Sequence, residues 1–371
     1  MTAGPSDRAG EPRTPTPVMH RPAAWPPEGL PAAWPAEALP PEGPRVALIL
    51  GAGGIVGQAY HAGVLAALEN DFGWDPRSAS LIVGSSAGSV TGTLLRLGVS
   101  ASDLAANSAE APLSEAGRSI LSQLAVDPTA LPRLSLGALL RPWRAPSAAL
   151  IGYLARNPLA FRASLAAMTL MPTGRFDFAS VLRRFTPLAA GAGWPDRLWV
   201  CATRRRDGKR VVFGRGSHTR PALADAVAAS CAIPGYFAPV RIGNVSYIDG
   251  GVYSPTNADV IRNEQLDLAI VISPMSASRL HHLAPDTAVR WNWHRRLELE
   301  VRRLEARNIP VVRFEPGRHS LRAMGINAMA TDRSARVVQA AFTETGPQST
   351  SEAAGGHLSA LLSYGARERY A

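Results

Sequence analysis

Three short runs hold the residue types that acyl chemistry needs. Gly84-Ser85-Ser86-Ala87-Gly88 is a Gly-x-Ser-x-Gly placed between an apolar run and a helical pattern. Small flanking residues permit a strained strand-to-helix turn that lifts the central hydroxyl out of the sheet edge. Ser86 is therefore the candidate nucleophile, with the positive end of a helix beneath it. About thirty residues upstream, Gly51 to Gly57 form a glycine loop. Its spacing is wrong for a dinucleotide pyrophosphate, because the sixth position from Gly51 is Val56 and glycine arrives at the seventh. The same loop can present consecutive backbone N–H groups to an oxyanion, and Gly53 and Gly54 have no side chains to block approach. The third run is Asp249-Gly250-Gly251. A carboxylate at a strand tip lies where parallel sheets place reactive groups. Beside Ser86, Asp249 could serve as general base if burial raises its proton affinity above the usual carboxylate pKa of about 4, or if the proton moves only as the tetrahedral intermediate forms.

Rival chemistries are narrowed by residue supply. His281-His282 and His357 follow Ser86 and Asp249, the Ser…Asp…His chain order of a hydrolase triad. None of them occupies a small-residue loop at an evident strand end. His61 lies one turn past the glycine loop and reads as a packed helix residue. A nucleotide enzyme would need an acid about twenty residues beyond the loop, and Asp71 is the near fit. The lone lysine, Lys209, sits in a turn signal, and no Gly-x-x-x-x-Gly-Lys-Ser/Thr is present, which excludes a P-loop. Two cysteines, Cys201 and Cys231, exclude a disulfide framework and a four-cysteine zinc site, and His-Glu-x-x-His is absent. No metal or cofactor is expected.

The elements that must position these groups follow from apolar patterning. Val46 to Leu50, Leu81 to Val83, Leu198 to Thr203, Val211 to Phe213, Val245 to Ile248, Leu268 to Ser273 and Val311 to Phe314 read as strands. Helical spacing runs through Tyr60, Val64, Leu65 and Leu68, and reappears after Gly88, from about Pro221 to Ser230, from Trp291 to Asn308 and after Gly325. Strands alternating with helices predict an α/β sheet in three layers. Prolines between about 100 and 195 chop that stretch into short helices, read as an insertion over the sheet. Its apolar part, Leu134 to Met171, is a candidate lid for acyl chains or a bilayer, but Arg156 and Arg162 interrupt it below membrane-span length. Trp291 and Trp293, next to His294, Arg295 and Arg296, read either as anchors to the core or as interface residues.

The chain of 371 residues divides into a proline-rich tail at 1–44, expected to be disordered, a folded domain at 45–345 and a polar tail at 346–371. The tail repeats Pro-Ala-Ala-Trp-Pro at 22–26 and 31–35. Net charge is +10, nearly all from scattered arginine, so the charge reads as non-specific attraction rather than nucleic-acid binding. No signal-peptide pattern is seen, and the expectation is a cytoplasmic protein with peripheral membrane contact. Oligomeric state is left open.

Taken together and in this order, the three motifs resemble the patatin-like phospholipase family. The stretch Ala228 to Val240 (Ala-Ala-Ser-Cys-Ala-Ile-Pro-Gly-Tyr-Phe-Ala-Pro-Val) resembles the family's segment before its aspartate, and Ala202-Thr203 with Asp207-Gly208 and Val211-Val212-Phe213 is similar too. The resemblance runs from about Arg45 to Asp259, more loosely to Ala341. It implies a patatin-like α/β sheet flanked by helices and a serine hydrolase of lipid esters. By that resemblance Ser86 is the nucleophile, Asp249 the base, and Gly53 and Gly54 the oxyanion loop. The family's basic residue before the last loop glycine is Val56 here, and Ala52 replaces a glycine. Those departures motivate a second expectation, a catalytically weak lipid-binding scaffold.

Overall fold

The computed structural model describes residues 44–123, 193–216, 220–278 and 286–349, with a few isolated positions elsewhere. The expected disordered tail (all but Pro44), the apolar lid stretch apart from Ile151, His281, His282, His357 and most of the polar tail lie outside the described residues.

Among the described residues eight strands form one sheet: β1 Val46–Leu50, β2 Leu81–Ser85, β3 Leu198–Arg204, β4 Arg210–Phe213, β5 Val240–Ile242, β6 Val245–Asp249, β7 Leu268–Ile272 and β8 Val311–Phe314. Five of them, in the order β8-β7-β1-β2-β3, are parallel. Their near-continuous apolar sequences fit burial on both faces. Successive side chains alternate between two cores. Leu48, Leu50, Ile82, Val200 and Ile270 face one cluster, while Ala47, Ile49, Val83, Cys201 and Val271 face the other. That two-residue period produces a three-layer α/β fold.

Described helices are α1 Gly54–Phe72, α2 Ala87–Arg96, α3 Ala101–Ser108, α4 Glu115–Gln123, α5 Leu223–Ser230, α6 Thr287–Glu305, α7 Arg318–Met324 and α8 Ser334–Ser349. On the first face α1 packs against α8 so closely that a Cβ on Gly63 would lie 2.5 Å from the Val338 carbonyl oxygen. On the second face α6 supplies Leu297, Val301 and Leu304. It begins a turn earlier than the expected Trp291 and ends at Glu305, because Val301 and Leu304 complete its buried stripe. Short β5 and α7 were not anticipated. Each spans too few residues to show a period.

The sheet is not parallel throughout. β4 and β6 both pair antiparallel with β3, and β5 pairs antiparallel with β6. Their registers fix which edge each strand takes. β4 and β6 both pair with Ala202 and Thr203, so they lie on opposite edges of β3. β2 and β4 both pair with Val200 and Cys201, so these two are also on opposite edges. β2 and β6 therefore share one edge of β3 and meet tip to tip. The last pair on β2 is Ser85 with Cys201, and the next residue of β3, Ala202, pairs with Asp249.

Candidate active site

That tip-to-tip meeting brings residues 86 and 249 together from opposite directions. Ser86 is the turn between β2 and α2, with φ 52 and ψ −120. A non-glycine residue there carries roughly 1–3 kcal/mol of strain. The turn is tight enough that a Cβ on Gly88 would lie 1.9 Å from the Leu50 carbonyl oxygen. Only glycine fits that point, which accounts for the last position of the motif. Asp249 arrives at the end of an antiparallel strand, not of a parallel one as its strand-tip placement had suggested.

Both side chains are buried. Asp249 Oδ1 accepts from the Gly251 N–H at 2.6 Å. Burial, the largest influence, pushes its carboxyl up from 3.8 to about 7, against the opposing pull of hydrogen bonds from the Ser86 hydroxyl and the Gly251 N–H. The Ser86 contact is a loose one, since Asp249 Oδ2 has no close hydrogen-bond partner among the described residues. Bonds between a nucleophile and its base are often long before substrate is bound. Cys231 also faces this group. Its thiol lies 3.7 Å from Ser89 Oγ, and burial followed by the Asp249 charge pushes it up to about 12. It stays a thiol at ordinary pH, as does Cys201.

The glycine loop joins β1 to α1. Gly51 N–H donates to Ile272 O at 2.9 Å, Ala52 N–H to Pro255 O at 2.8 Å and Val56 N–H to Ala328 O at 3.2 Å. Gly53, Gly54 and Ile55 are left as consecutive N–H groups with no acceptor among the described residues. They open α1, so the helix dipole adds to them. Gly54 has φ 63, and a Cβ there would stand 2.5 Å from the Ala328 carbonyl oxygen. Val56 is buried in the core. This position therefore brings no positive charge to the loop.

Two residues that sequence reasoning did not single out tie the site together. Ser230, the last residue of α5, accepts from the Ser86 N–H at 2.8 Å and donates to Cys201 O at 2.7 Å. Two residues later, Ala232 O accepts from the Asp249 N–H at 3.0 Å. The segment after α5 thus holds both backbones, and it removes the Ser86 N–H from any role toward substrate. Asn257, with φ 54, donates through Nδ2 to Ser85 Oγ at 2.9 Å, to Gly250 O at 3.3 Å and to Ser254 O at 2.6 Å. It bridges the neighbours of Ser86 and Asp249. Neither type is conspicuous in a sequence. Ser230 lay within the family-like stretch Ala228 to Val240, and Asn257 carried no signal.

Of the rival bases, His61 is described. It is fully buried, its Nδ1 is 3.4 Å from Thr91 Oγ1, and burial holds its pKa down to about 3. Lys209 is exposed in the β3–β4 hairpin. Among the described residues no group of three or more His, Cys, Asp or Glu side chains is arranged to hold a metal ion. No helix among them is long and apolar enough to cross a membrane.

A family model described as Patatin-like phospholipase matches residues 48–261. Among solved structures, VipD from Legionella pneumophila is similar at 12% identity and a TM-score of 0.38, covering 83% of this chain and 67% of that one. The type III effector protein ExoU matches at 15% identity and a TM-score of 0.34, covering 84% and 54%. The heterodimeric ExoU-SpcU complex from the type III secretion system of Pseudomonas aeruginosa matches at 19% and 0.31, covering 82% and 52%. The chain thus spans about half the length of the ExoU chains. Comparison with curated proteins found no match.

Proposed function

The chain belongs to the patatin-like phospholipase family, a family of lipid hydrolases, and from that premise we propose that it cleaves carboxylic esters of lipids through a Ser86–Asp249 dyad. The observation that carries this reading is the register across β3, along which β2, just before Ser86, and β6, at Asp249, end tip to tip. As Ser86 Oγ bonds to the ester carbonyl carbon, Asp249 takes the hydroxyl proton. The carbonyl oxygen becomes an oxyanion facing the N–H groups of Gly53, Gly54 and Ile55. Collapse breaks the ester bond, and the leaving alcohol receives the proton from Asp249. Water then attacks the acyl-enzyme, gives its proton to Asp249, and the second collapse returns that proton to Ser86 Oγ and releases the fatty acid.

Supporting this assignment is the carboxyl's rise to about 7. A base with that affinity takes a proton far more readily than one near 4, yet is still ionised at neutral pH in a large share of molecules. The strained turn at Ser86 and the acceptor-free N–H groups support the remaining roles. A fluorophosphonate probe tests the reading. Labelling at Ser86, lost together with ester hydrolysis in Ser86→Ala, is the expected result. Hydrolysis that survives Ser86→Ala would overturn it. An unlabelled but folded wild-type chain would favour the lipid-binding scaffold.

A further inference from the structure

A lipid hydrolase must reach a substrate packed in an aggregate, and the surface around the glycine loop is built for such a contact. Among the described residues, five large apolar side chains are exposed: Ile151, Val289, Trp291, Leu299 and Ile326. Singly, such exposure is ordinary. Three of the five, however, lie on segments that touch the same loop. Val289 is 52% exposed and Trp291 39% exposed, both in the first turns of α6. Between them, Arg290 Nη1 donates to Pro274 O at 2.9 Å. Pro274 in turn packs on the glycine loop, where a Cβ on Gly53 would lie 2.9 Å from Pro274 Cβ. Ile326 is 69% exposed in the turn after α7. Two residues later, the Ala328 carbonyl accepts from Val56 at the start of α1. Both segments thus touch the loop proposed to hold the oxyanion.

Arginine outnumbers acid around α7, although Glu344 accepts from the N–H groups of Gly317, His319 and Ser320 and Asp286 pairs with Arg290. From Gly317 to Arg336 there are four arginines, Arg318, Arg322, Arg333 and Arg336, against one acid, Asp332. Arg318, Arg322 and Arg336 are exposed, and so is Arg295, one turn beyond Trp291. Apolar points amid arginine are the composition of a surface that settles on anionic headgroups and inserts a few side chains below them. We propose that Trp291 and Ile326, with Arg318 and Arg322, form the face by which this protein docks on an anionic phospholipid bilayer. The inference rests on the lipid reading above. It specifies how the site meets its substrate.

The test uses the full chain carrying Ser86→Ala, so that no lipid is consumed, and sedimentation with vesicles of phosphatidylcholine alone or mixed with phosphatidylglycerol. Binding is expected on the anionic vesicles, weakened by salt. It should fall roughly fivefold for each arginine neutralised in Arg318→Gln and Arg322→Gln, and fall again in Ile326→Asp. With Ser86 restored, these variants should hydrolyse a soluble short-chain ester at the wild-type rate. A polarity-sensitive dye on Ile326→Cys should shift to the blue on vesicles, whereas the same dye on Glu305→Cys, at the far end of α6, should not. Cys201 and Cys231 are buried and do not compete for the label. Equal binding to neutral and anionic vesicles would overturn the proposal. So would unchanged binding in the variants, or a face that pairs two copies of the chain and ignores vesicles. If docking follows the expected pattern while wild-type protein hydrolyses no ester, the surface stands and the Ser86 mechanism falls.

Discussion

Replacing Asp249 with Asn should cost the activity and raise the stability. Burial lifts the native carboxyl from 3.8 to about 7. Below pH 3.8 both native and unfolded chains hold the proton, and ionisation costs nothing. As pH rises towards 7, the unfolded chain releases its proton while the native one retains it, so wild type loses stability across that window. Above 7 the loss is constant. A shift of about three units at about 1.4 kcal/mol each gives roughly 4 kcal/mol at pH 8 and under about 2 kcal/mol at pH 5. Asn keeps the shape of Asp, and its oxygen can still accept from the Gly251 N–H, so little else changes. Each kcal/mol moves Tm by roughly 2–4 °C in a chain of 150–250 residues. Thermal unfolding of Asp249→Asn and wild type at both pH values should show the variant several degrees higher at pH 8, with a smaller gap at pH 5. A variant less stable than wild type at pH 8, or a gap independent of pH, would refute the claim that Asp249 is held against its own ionisation.

The same rise sets the pH dependence of catalysis: kcat/KM for a soluble ester should climb about tenfold per pH unit and level off near 7, and a midpoint near 4 would show that the base is not buried. Ser230→Ala leaves the Ser86 N–H and the Cys201 carbonyl without their partner, so unfolding experiments should show a loss of about 1–3 kcal/mol, with kcat falling more than KM changes. Gly54→Ala would force a side chain into φ 63 and against the Ala328 carbonyl; steady-state kinetics should show kcat reduced by about 10²–10³, as for loss of an oxyanion donor.

The turn at Ser86, the glycine loop and the parallel half of the sheet were legible because their signals are local. Val46 to Leu50 followed by glycine announces a buried strand and its loop, and Gly84 to Gly88 announces a turn, since each depends on neighbours within a few residues. The antiparallel approach of β6 was not legible. Strands parallel and antiparallel to β3 share the same apolar residues, and the difference lies in pairings between residues far apart in the chain. Ser230 and Asn257 were missed for a related reason. A hydroxyl and an amide acquire meaning only from what is buried beside them, and their partners Ser86 and Ser85 are 144 and 172 residues away.

The order of the residues alone determined which side chains are chemically able to attack an ester and which backbone stretches can present free N–H groups, because those properties belong to residue type and local conformation. Only the tertiary structure decided that β2 and β6 would end head-on along one edge of β3 and that the carboxylate between them would be shut away from water. Both follow from strand register and burial, which no single stretch of chain contains.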